Sequence, residues 1–209
     1  MLMHRVAIID YGAGNVRSVL NAVTHLNYHA EVVSNPKLLS NFTHLILPGV
    51  GSFRRAMLSF EQLHLNKILP ELVANGIPVL GICLGMQLLA SRGSEDGESI
   101  GLGLISGDVD RFAFDSGADG LKIPHVGFNS AQFTPSSRLF RDFQLEPDFY
   151  FTHSYRLLCE NDQDVAATSF HGEPFVSCIE KGLVAGTQFH PEKSQANGLH
   201  LLNNFFRYF

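Results

Sequence analysis

A cysteine between two glycines is the residue of this chain best placed by type and spacing to do chemistry. Cys83 stands between Gly81 and Gly85, where the apolar run 77–82 gives way to a helical pattern at 84–92. A tight strand-to-helix turn would hold the thiol out as a nucleophile, because flanking glycines leave room for a strained backbone. Free N–H groups at the helix start would favour the thiolate. The alternative is a small, inert core cysteine.

A base for this thiol occurs far downstream. His190 and Glu192 are separated only by Pro191, and the run 183–189 predicts a strand that delivers His190 at its carboxyl end. Residues two apart in an extended segment point the same way, so Glu192 can reach the far ring nitrogen of His190 and fix its tautomer. The set predicts a nucleophile, a base and an orienting acid. Taken alone, Glu192 could equally be a solvated acid at a helix start.

Six segments, in order along nearly the whole chain, resemble the class I, triad-type glutamine amidotransferases. They are DYGAGN at 10–15, LPGVGSF at 47–53, GICLGMQ at 81–87, IPHVGFN at 123–129, YFTHSY at 150–155 and QFHPEKS at 188–194. Within that family all six segments look like the glutaminase subunit of imidazole glycerol phosphate synthase, and the middle segments are far more specific than the Gly-x-Cys-x-Gly turn that all relatives share. Phe128 stands where that pattern usually has tryptophan, and Thr187 where it usually has valine. Neither departure touches the three catalytic candidates.

The resemblance implies hydrolysis of glutamine to glutamate and ammonia through a thioester on the cysteine. It assigns the glycine-rich turn 48–51 to an oxyanion hole, in which the N–H group of Val50 or Gly51 joins that of Leu84. Such a turn can aim backbone donors at a developing negative charge. The same composition also suits an ordinary strand-to-helix connection. By the resemblance, the turn needs to reorient before it donates, which would make activity depend on a partner.

The resemblance also implies substrate and partner residues. Gln87, one helical turn beyond the cysteine, matches a residue that contacts bound glutamine, and Glu95 matches one that pairs with its α-ammonium group. Tyr150 and Lys193 match positions at an interface with a HisF-type cyclase, which uses ammonia to make imidazole glycerol phosphate and aminoimidazole carboxamide ribotide. Each has a simpler alternative: Glu95 as a solvated loop acid, Tyr150 as strand packing and Lys193 as a surface charge.

Composition predicts one domain, 1–209, with a sizeable core. The chain has 209 residues, of which 45% are hydrophobic. Three cysteines do not make a disulfide framework, which favours a reducing cytoplasm. A net charge of -5 argues against a nucleic-acid surface, and the longest apolar run, 77–90, is too short to span a membrane.

No metal or cofactor is predicted. His25 and His29 have a spacing that could bind a metal, but the chain already reads as extended at 28–31, so a solvated face is expected. The glycines at 12–14 lack the third glycine of a dinucleotide fingerprint, since Arg17 stands there. His125 and His153 are expected to be hydrogen-bonded structural histidines.

Alternation of short apolar runs with helical patterns predicts an α/β fold. We expect a three-layer domain with a mixed, mostly parallel central sheet, flanking helices and an added antiparallel portion from residue 101 onward. The predicted strands are 6–10, 31–33, 44–47, 77–82, 175–180 and 183–189; the predicted helices are 15–26, 52–75 in two pieces, 84–92 and 195–208; turns are predicted at 115–117 and 161–162. Sites in open α/β sheets gather at the carboxyl ends of strands, where the loops 11–15, 48–51, 83–85 and 190–192 would meet.

Three hypotheses remain from the sequence. The first is a glutaminase subunit that serves histidine biosynthesis. The second is the same chemistry serving another synthase, such as a sugar-amidating enzyme; the motifs around the cysteine do not separate these two. The third is a non-enzymatic α/β module whose glycine loops hold an anion, which predicts no glutamate release and indifference to loss of Cys83.

Overall fold

Strands and helices alternate through the first half of the computed structural model, which describes residues 4–12, 14–114 and 121–209. The strands are β1 (Arg5–Ile9), β2 (His29–Val33), β3 (His44–Gly49), β4 (Val79–Cys83), β5 (Arg92–Gly93), β6 (Ser99–Ile100), β7 (Gly107–Arg111), β8 (His125–Ser130), β9 (Gln132–Phe133), β10 (Asp148–His153), β11 (Tyr155–Cys159), β12 (Val165–His171), β13 (Glu173–Lys181) and β14 (Val184–Thr187). The α-helices are α1 (Val16–His25), α2 (Phe53–Gln62), α3 (Leu65–Ala74), α4 (Leu84–Leu88) and α5 (Gln195–Tyr208), and 3-10 turns occupy Pro36–Asn41, Asp162–Asp164 and Pro191–Lys193. Ala13 and the turn predicted at 115–117 lie outside the described residues.

An eight-stranded sheet is the centre of the fold, with strand order β2-β1-β3-β4-β14-β13-β12-β9. The five strands from β2 to β14 in this order are parallel to one another, and β13, β12 and β9 follow in antiparallel pairing. The predicted mixed, mostly parallel sheet is confirmed. Because parallel strands end at one edge, the loops after β1, β3, β4 and β14 all reach the same side of the molecule.

Strand β1 shows how the sequence builds a core on both faces of this sheet. Its apolar residues form a continuous run, as expected for a strand covered on both sides. Val6 and Ile8 join the apolar cluster that packs under α1 and α5, whereas Ala7 and Ile9 join the cluster under α2 and α3. The alternation of side chains along a strand therefore divides one apolar run between two cores.

The helices bury one face each. In α1 that face holds Val19, Ala22 and Val23, at the spacing of an amphipathic helix. The predicted helix pair in 52–75 is confirmed as α2 and α3, and α5 has the predicted bounds. None of the helices in the described ranges is both long and apolar enough to cross a membrane.

Two small sheets stand beside the main one. Strands β10 and β8 form an antiparallel pair, and β11-β7-β5-β6 form a four-stranded sheet. The pair matters for the site, because β10 ends beside the loop that carries Cys83: the thiol lies 3.9 Å from the carbonyl oxygen of Thr152. The antiparallel portion predicted after residue 101 thus supplies one wall of the region at the strand ends.

One helix and one strand end earlier in the structure than the sequence pattern predicts. The helix predicted at 84–92 ends at Leu88, because the carbonyl groups of Leu88, Leu89 and Ala90 accept hydrogen bonds from N–H groups between 102 and 105, instead of continuing a helix. The strand predicted at 183–189 ends at Thr187. Beyond it the chain leaves the sheet, and the N–H group of His190 bonds the carbonyl of Tyr150 on β10 at 2.9 Å.

Candidate active site

Cys83 occupies a strained turn between β4 and α4. It is the last residue of the strand and the N-cap of the helix, with φ 55 and ψ -110, a conformation that non-glycine residues rarely adopt. A Cβ at Gly81 would lie 2.6 Å from the carbonyl oxygen of Gly85, and one at Gly85 would collide with the carbonyl of Leu47. The sequence prediction that both glycines are needed for close packing at this turn is therefore confirmed.

His190 and Glu192 form a buried pair beside this turn. Nδ1 of His190 lies 2.7 Å from Oε1 of Glu192, and the two side chains are 1% and 0% exposed. Burial by itself lowers the pKa of His190, but its contacts with Cys83 and Glu192 outweigh burial and raise the pKa to about 10. Because Nδ1 faces the carboxylate, Nε2 is the nitrogen left for the thiol, and Nε2 has no hydrogen-bond partner among the described residues.

Asn15, which the sequence alone did not mark as a site residue, joins Cys83, His190 and Glu192 through its contact with Glu192. Asn15, in a left-handed conformation at the N-cap of α1, donates a hydrogen bond from Nδ2 to Oε1 of Glu192. One carboxylate oxygen thus accepts from both Asn15 and His190. The signal available in the sequence was the position of Asn15 in a loop at the carboxyl end of β1, which leads to the same edge as His190.

The glycine-rich turn 48–51 lies beside Cys83. Gly49 is the register partner of Cys83 in the parallel pairing of β3 with β4. Val50, Gly51 and Leu84 line one cavity together with Cys83, and Gly51 has φ +108, which glycine adopts without strain. The three residues predicted for an oxyanion hole therefore line the same cavity as Cys83.

A cavity of about 280 Å³ opens over the thiol. Besides the oxyanion candidates and Cys83, it is lined by Gln87, Glu95, Pro124 and the segment 152–155. The Gln87 side chain is buried, and its Nε2 donates to the carbonyl of Tyr155 and to Oε1 of Gln188, both at 3.0 Å. Gln188, fully buried at the end of the β14 run, points its own Nε2 at the Cys83 sulfur at 3.8 Å. Sequence reasoning missed Gln188, whose only signal was a polar residue in an apolar run.

Glu95 lines this cavity and also caps a helix. Its Oε2 accepts a hydrogen bond from the N–H group of Phe53, the first residue of α2, at 3.0 Å. Partial burial raises the pKa of Glu95, as does the nearby Asp96, while the bond from Phe53 lowers it. A half-buried carboxylate facing a cavity can attract a cation, in addition to its capping role.

The predicted interface residues lie next to each other on the outside of the β10–β8 pair. The Lys193 ammonium group stands 5.8 Å from the centre of the Tyr150 ring, and Tyr150 packs edge-on against Phe128 of β8 at 5.7 Å. Val126 and Phe128 are 57% and 53% exposed. We call Val126, Phe128, Tyr150 and Lys193 the outer apolar face. Within it, Val126 is the register partner of Thr152, which lines the cavity.

Within 4–12, 14–114 and 121–209, no group of three or more His, Cys, Asp or Glu side chains is placed so that it could hold a metal ion. His25 ends α1 and His29 stands exposed in β2, where it bonds Glu31 at 3.0 Å. Thr187, the other departure from the family pattern, is buried, and its hydroxyl donates to the carbonyl of Phe189 at 3.0 Å.

Comparison with known proteins fits this geometry. The family model described as glutamine amidotransferase class-I matches residues 7–209. PurLQS from Thermotoga maritima superposes with a TM-score of 0.76 at 17% identity, covering 99% of each chain, which shows a shared fold. The chain belongs to the class I glutamine amidotransferase family.

Similar proteins of known name show to which branch of the amidotransferases the chain belongs. The imidazole glycerol phosphate synthase subunit HisH of Aquifex aeolicus is 44% identical over 205 residues, which covers 97% of this chain and 96% of the relative. The corresponding subunit of Leptospira borgpetersenii is 40% identical over 201 residues, covering 96% and 98%. Within the amidotransferases, the chain is a member of the HisH family.

Proposed function

We propose that this protein hydrolyses glutamine to glutamate and ammonia, and that it supplies the ammonia to a HisF-type cyclase in histidine biosynthesis. The observation that carries the proposal is that the buried His190–Glu192 pair contacts Cys83, and that Cys83 lines a cavity of about 280 Å³ at the strand ends. A cavity of this size suits a molecule as small as glutamine. Membership of the HisH family supports the choice of pathway.

In the first half of the reaction, Cys83 gives its proton to Nε2 of His190 and attacks the side-chain amide carbon of glutamine as the thiolate. The oxyanion that forms is held by the N–H group of Leu84 and by that of Val50 or Gly51; losing one such donor costs about 10²-fold or more in rate. His190, whose raised pKa favours the imidazolium, gives a proton to the departing nitrogen. Ammonia leaves and a glutamyl thioester remains on the sulfur.

In the second half, water displaces the sulfur. His190, now neutral, takes a proton from water as it attacks the thioester carbonyl, and the same oxyanion donors act again. The thiol then leaves and glutamate is released. Glu192 keeps Nδ1 of His190 protonated throughout, so that Nε2 always faces the sulfur.

We assign Gln87 and Glu95 to glutamine binding. Both side chains line the same cavity as Cys83. Glu95 can pair with the α-ammonium group of the substrate, because its second oxygen is not used in capping α2. The amide of Gln87 is held by Tyr155 and Gln188, so we assign it to shaping the pocket floor rather than to a charged contact.

A partner follows from the product. Ammonia in water at neutral pH is mostly ammonium, a poor nucleophile, so it is useful only if an acceptor site receives it directly. The outer apolar face, formed by Val126, Phe128, Tyr150 and Lys193, lies on the strand pair whose Thr152 lines the cavity, and its exposed Val126 and Phe128 fit a docking partner. We propose that this face binds the cyclase.

The protein acts as one amidotransferase domain, 1–209, and its three unpaired cysteines suit the cytoplasm.

Mixing the protein with a HisF-type cyclase tests the proposal. We expect glutamate release to rise when cyclase is added, and to rise further with a nucleotide ligand of the cyclase. Cys83→Ala should abolish release, whereas Cys159→Ala, at a half-exposed thiol, should leave it unchanged. Release without any response to the cyclase would favour service to another synthase. No release under any condition would favour the anion-binding module.

A further inference from the structure

Two buried histidines form a hydrogen-bonded chain behind the cavity. His125 of β8 and His153 of β10 are register partners in the antiparallel pair, and Nδ1 of His125 lies 3.1 Å from Nε2 of His153. Nδ1 of His153 lies 2.9 Å from the carbonyl oxygen of Tyr155. On the other side, Nδ2 of Asn129 lies 3.3 Å from Nε2 of His125. The chain runs from Asn129 through both rings to Tyr155.

The partners fix the proton on each ring. Because a carbonyl only accepts, His153 must carry its proton on Nδ1, which leaves Nε2 as an acceptor. His125 must then donate from Nδ1, and its Nε2 accepts from the amide of Asn129. Burial lowers the pKa of His125 to about 4 and that of His153 to about 3, so both rings are neutral at neutral pH.

This series of hydrogen bonds connects the cavity with the outer apolar face. His153, Ser154 and Tyr155 line the cavity, and the carbonyl of the preceding Thr152 faces the Cys83 sulfur at 3.9 Å. On β8 the neighbour of His125 is Val126, which belongs to the outer apolar face and is the register partner of Thr152. The His125–His153 bond thus joins the strand that carries the outer face to the wall of the cavity.

We propose that His125 and His153 are positioning residues: their hydrogen bond locks the end of β10, the wall of the glutamine pocket, to β8. The inference rests on the proposed glutamine pocket. Without the bond, β10 keeps its ladder pairing with β8, but the segment 152–155 loses the side-chain contact that sets its distance from the thiol. The expected consequence is weaker glutamine binding rather than loss of the nucleophile.

Paired substitutions at His125 test the bond itself. His125→Phe keeps a ring stacked on Phe151 and His171 but removes the donor, whereas His125→Asn loses the stacking and keeps an N–H group near the Nδ1 position. Assayed with a HisF-type cyclase and its nucleotide ligand, His125→Phe should raise the KM for glutamine about tenfold with a smaller change in kcat, as expected when a buried acceptor loses its donor. His125→Asn should recover part of that loss. A wild-type KM in His125→Phe, or an Asn variant no better than the Phe variant, would overturn the proposal.

His44→Phe is the matched control. His44 is also buried among aromatic rings, and burial lowers its pKa to about 4, but it begins β3 at the end of the strand opposite Gly49. Its substitution should change thermal stability without changing the KM. A raised KM in His44→Phe as well would show that general destabilisation, rather than the His125–His153 bond, controls the pocket.

Nitrogen NMR of the wild-type histidines tests whether the hydrogen bonds from Asn129 through His125 and His153 to Tyr155 exist, and it needs no variant. At neutral pH we expect both rings neutral with the proton on Nδ1. A proton on Nε2 of either ring, or a protonated ring, would overturn the proposal. If the wild type released no glutamate with the cyclase, the proposed function would fail, and this NMR result would still decide whether the hydrogen-bonded chain exists.

Discussion

Asn15 and His190 share one oxygen of Glu192, and this arrangement determines how the acid can act. With both donors on Oε1, the carboxylate is held in a single orientation, while Oε2 has no partner among the described residues. A carboxylate fixed in this way keeps the imidazole in one tautomer and supports its positive form. Asn15 is therefore expected to act through Glu192, as a positioning residue.

Asn15→Gly isolates the side chain of this residue. Asn15 has φ 78, which glycine also adopts without strain, so the backbone should keep its conformation. Loss of a hydrogen bond to a charged group is expected to lower kcat by about tenfold or more, with little change in the KM for glutamine. Steady-state glutamate release measures both constants. Asn21→Gly, elsewhere on α1, is a control for helix stability, and equal kcat losses in the two variants would contradict a specific role.

Glu192→Gln should change how stability depends on pH. The pKa of His190 rises from 6.5 to about 10 on folding, so its protonated form stabilises the folded state fully below pH 6.5, and this contribution is lost as the pH rises to about 10. Removing the carboxylate removes part of that effect. The difference in unfolding free energy between wild type and variant should be largest near the low end of this window and shrink toward the high end. A difference that is constant or grows with pH would contradict the assigned charge on His190.

At the scale of elements, the turn at Cys83 could be predicted from the sequence, whereas the end of α4 could not. The turn at Cys83 could be recognised because a Cβ at Gly81 or Gly85 meets backbone only a few residues away or on the adjacent strand. The end of α4 could not, because Leu88 is followed by carbonyl groups that bond the segment 102–105. A helical apolar pattern continues through residue 92 even though the helix does not.

Hydrogen bonds between side chains of distant elements could not be predicted from the sequence either. Asn15 contacts Glu192 across 177 positions of the chain, and Gln188 contacts Cys83 across 105, so no spacing in the sequence marks them. His125 and His153 were expected to be structural, but their pairing depends on the register of β8 against β10. The motif positions were visible in the sequence, whereas the bonds between them required the fold.

At the scale of the whole molecule, the parallel part of the sheet gathers the site. Strands β1, β3, β4 and β14 are neighbours in the sheet although β14 comes about a hundred residues after β4, and their carboxyl ends bring the four predicted loops together. The sequence predicted this edge because the strand–helix alternation of the first half leaves few topologies. It did not predict how the later strands divide among three sheets, since antiparallel pairing there depends on contacts between distant turns.

The claim on which this account depends is that the sulfur of Cys83 carries the glutamyl group during turnover. Acid quenching of the protein with labelled glutamine and a HisF-type cyclase, followed by peptide mapping, measures this directly. The account predicts label on the peptide that contains Cys83, less label when water attack is faster than acylation, and none in Cys83→Ala. Label on Cys159 or Cys178, or unchanged glutamate release by Cys83→Ala, would contradict it.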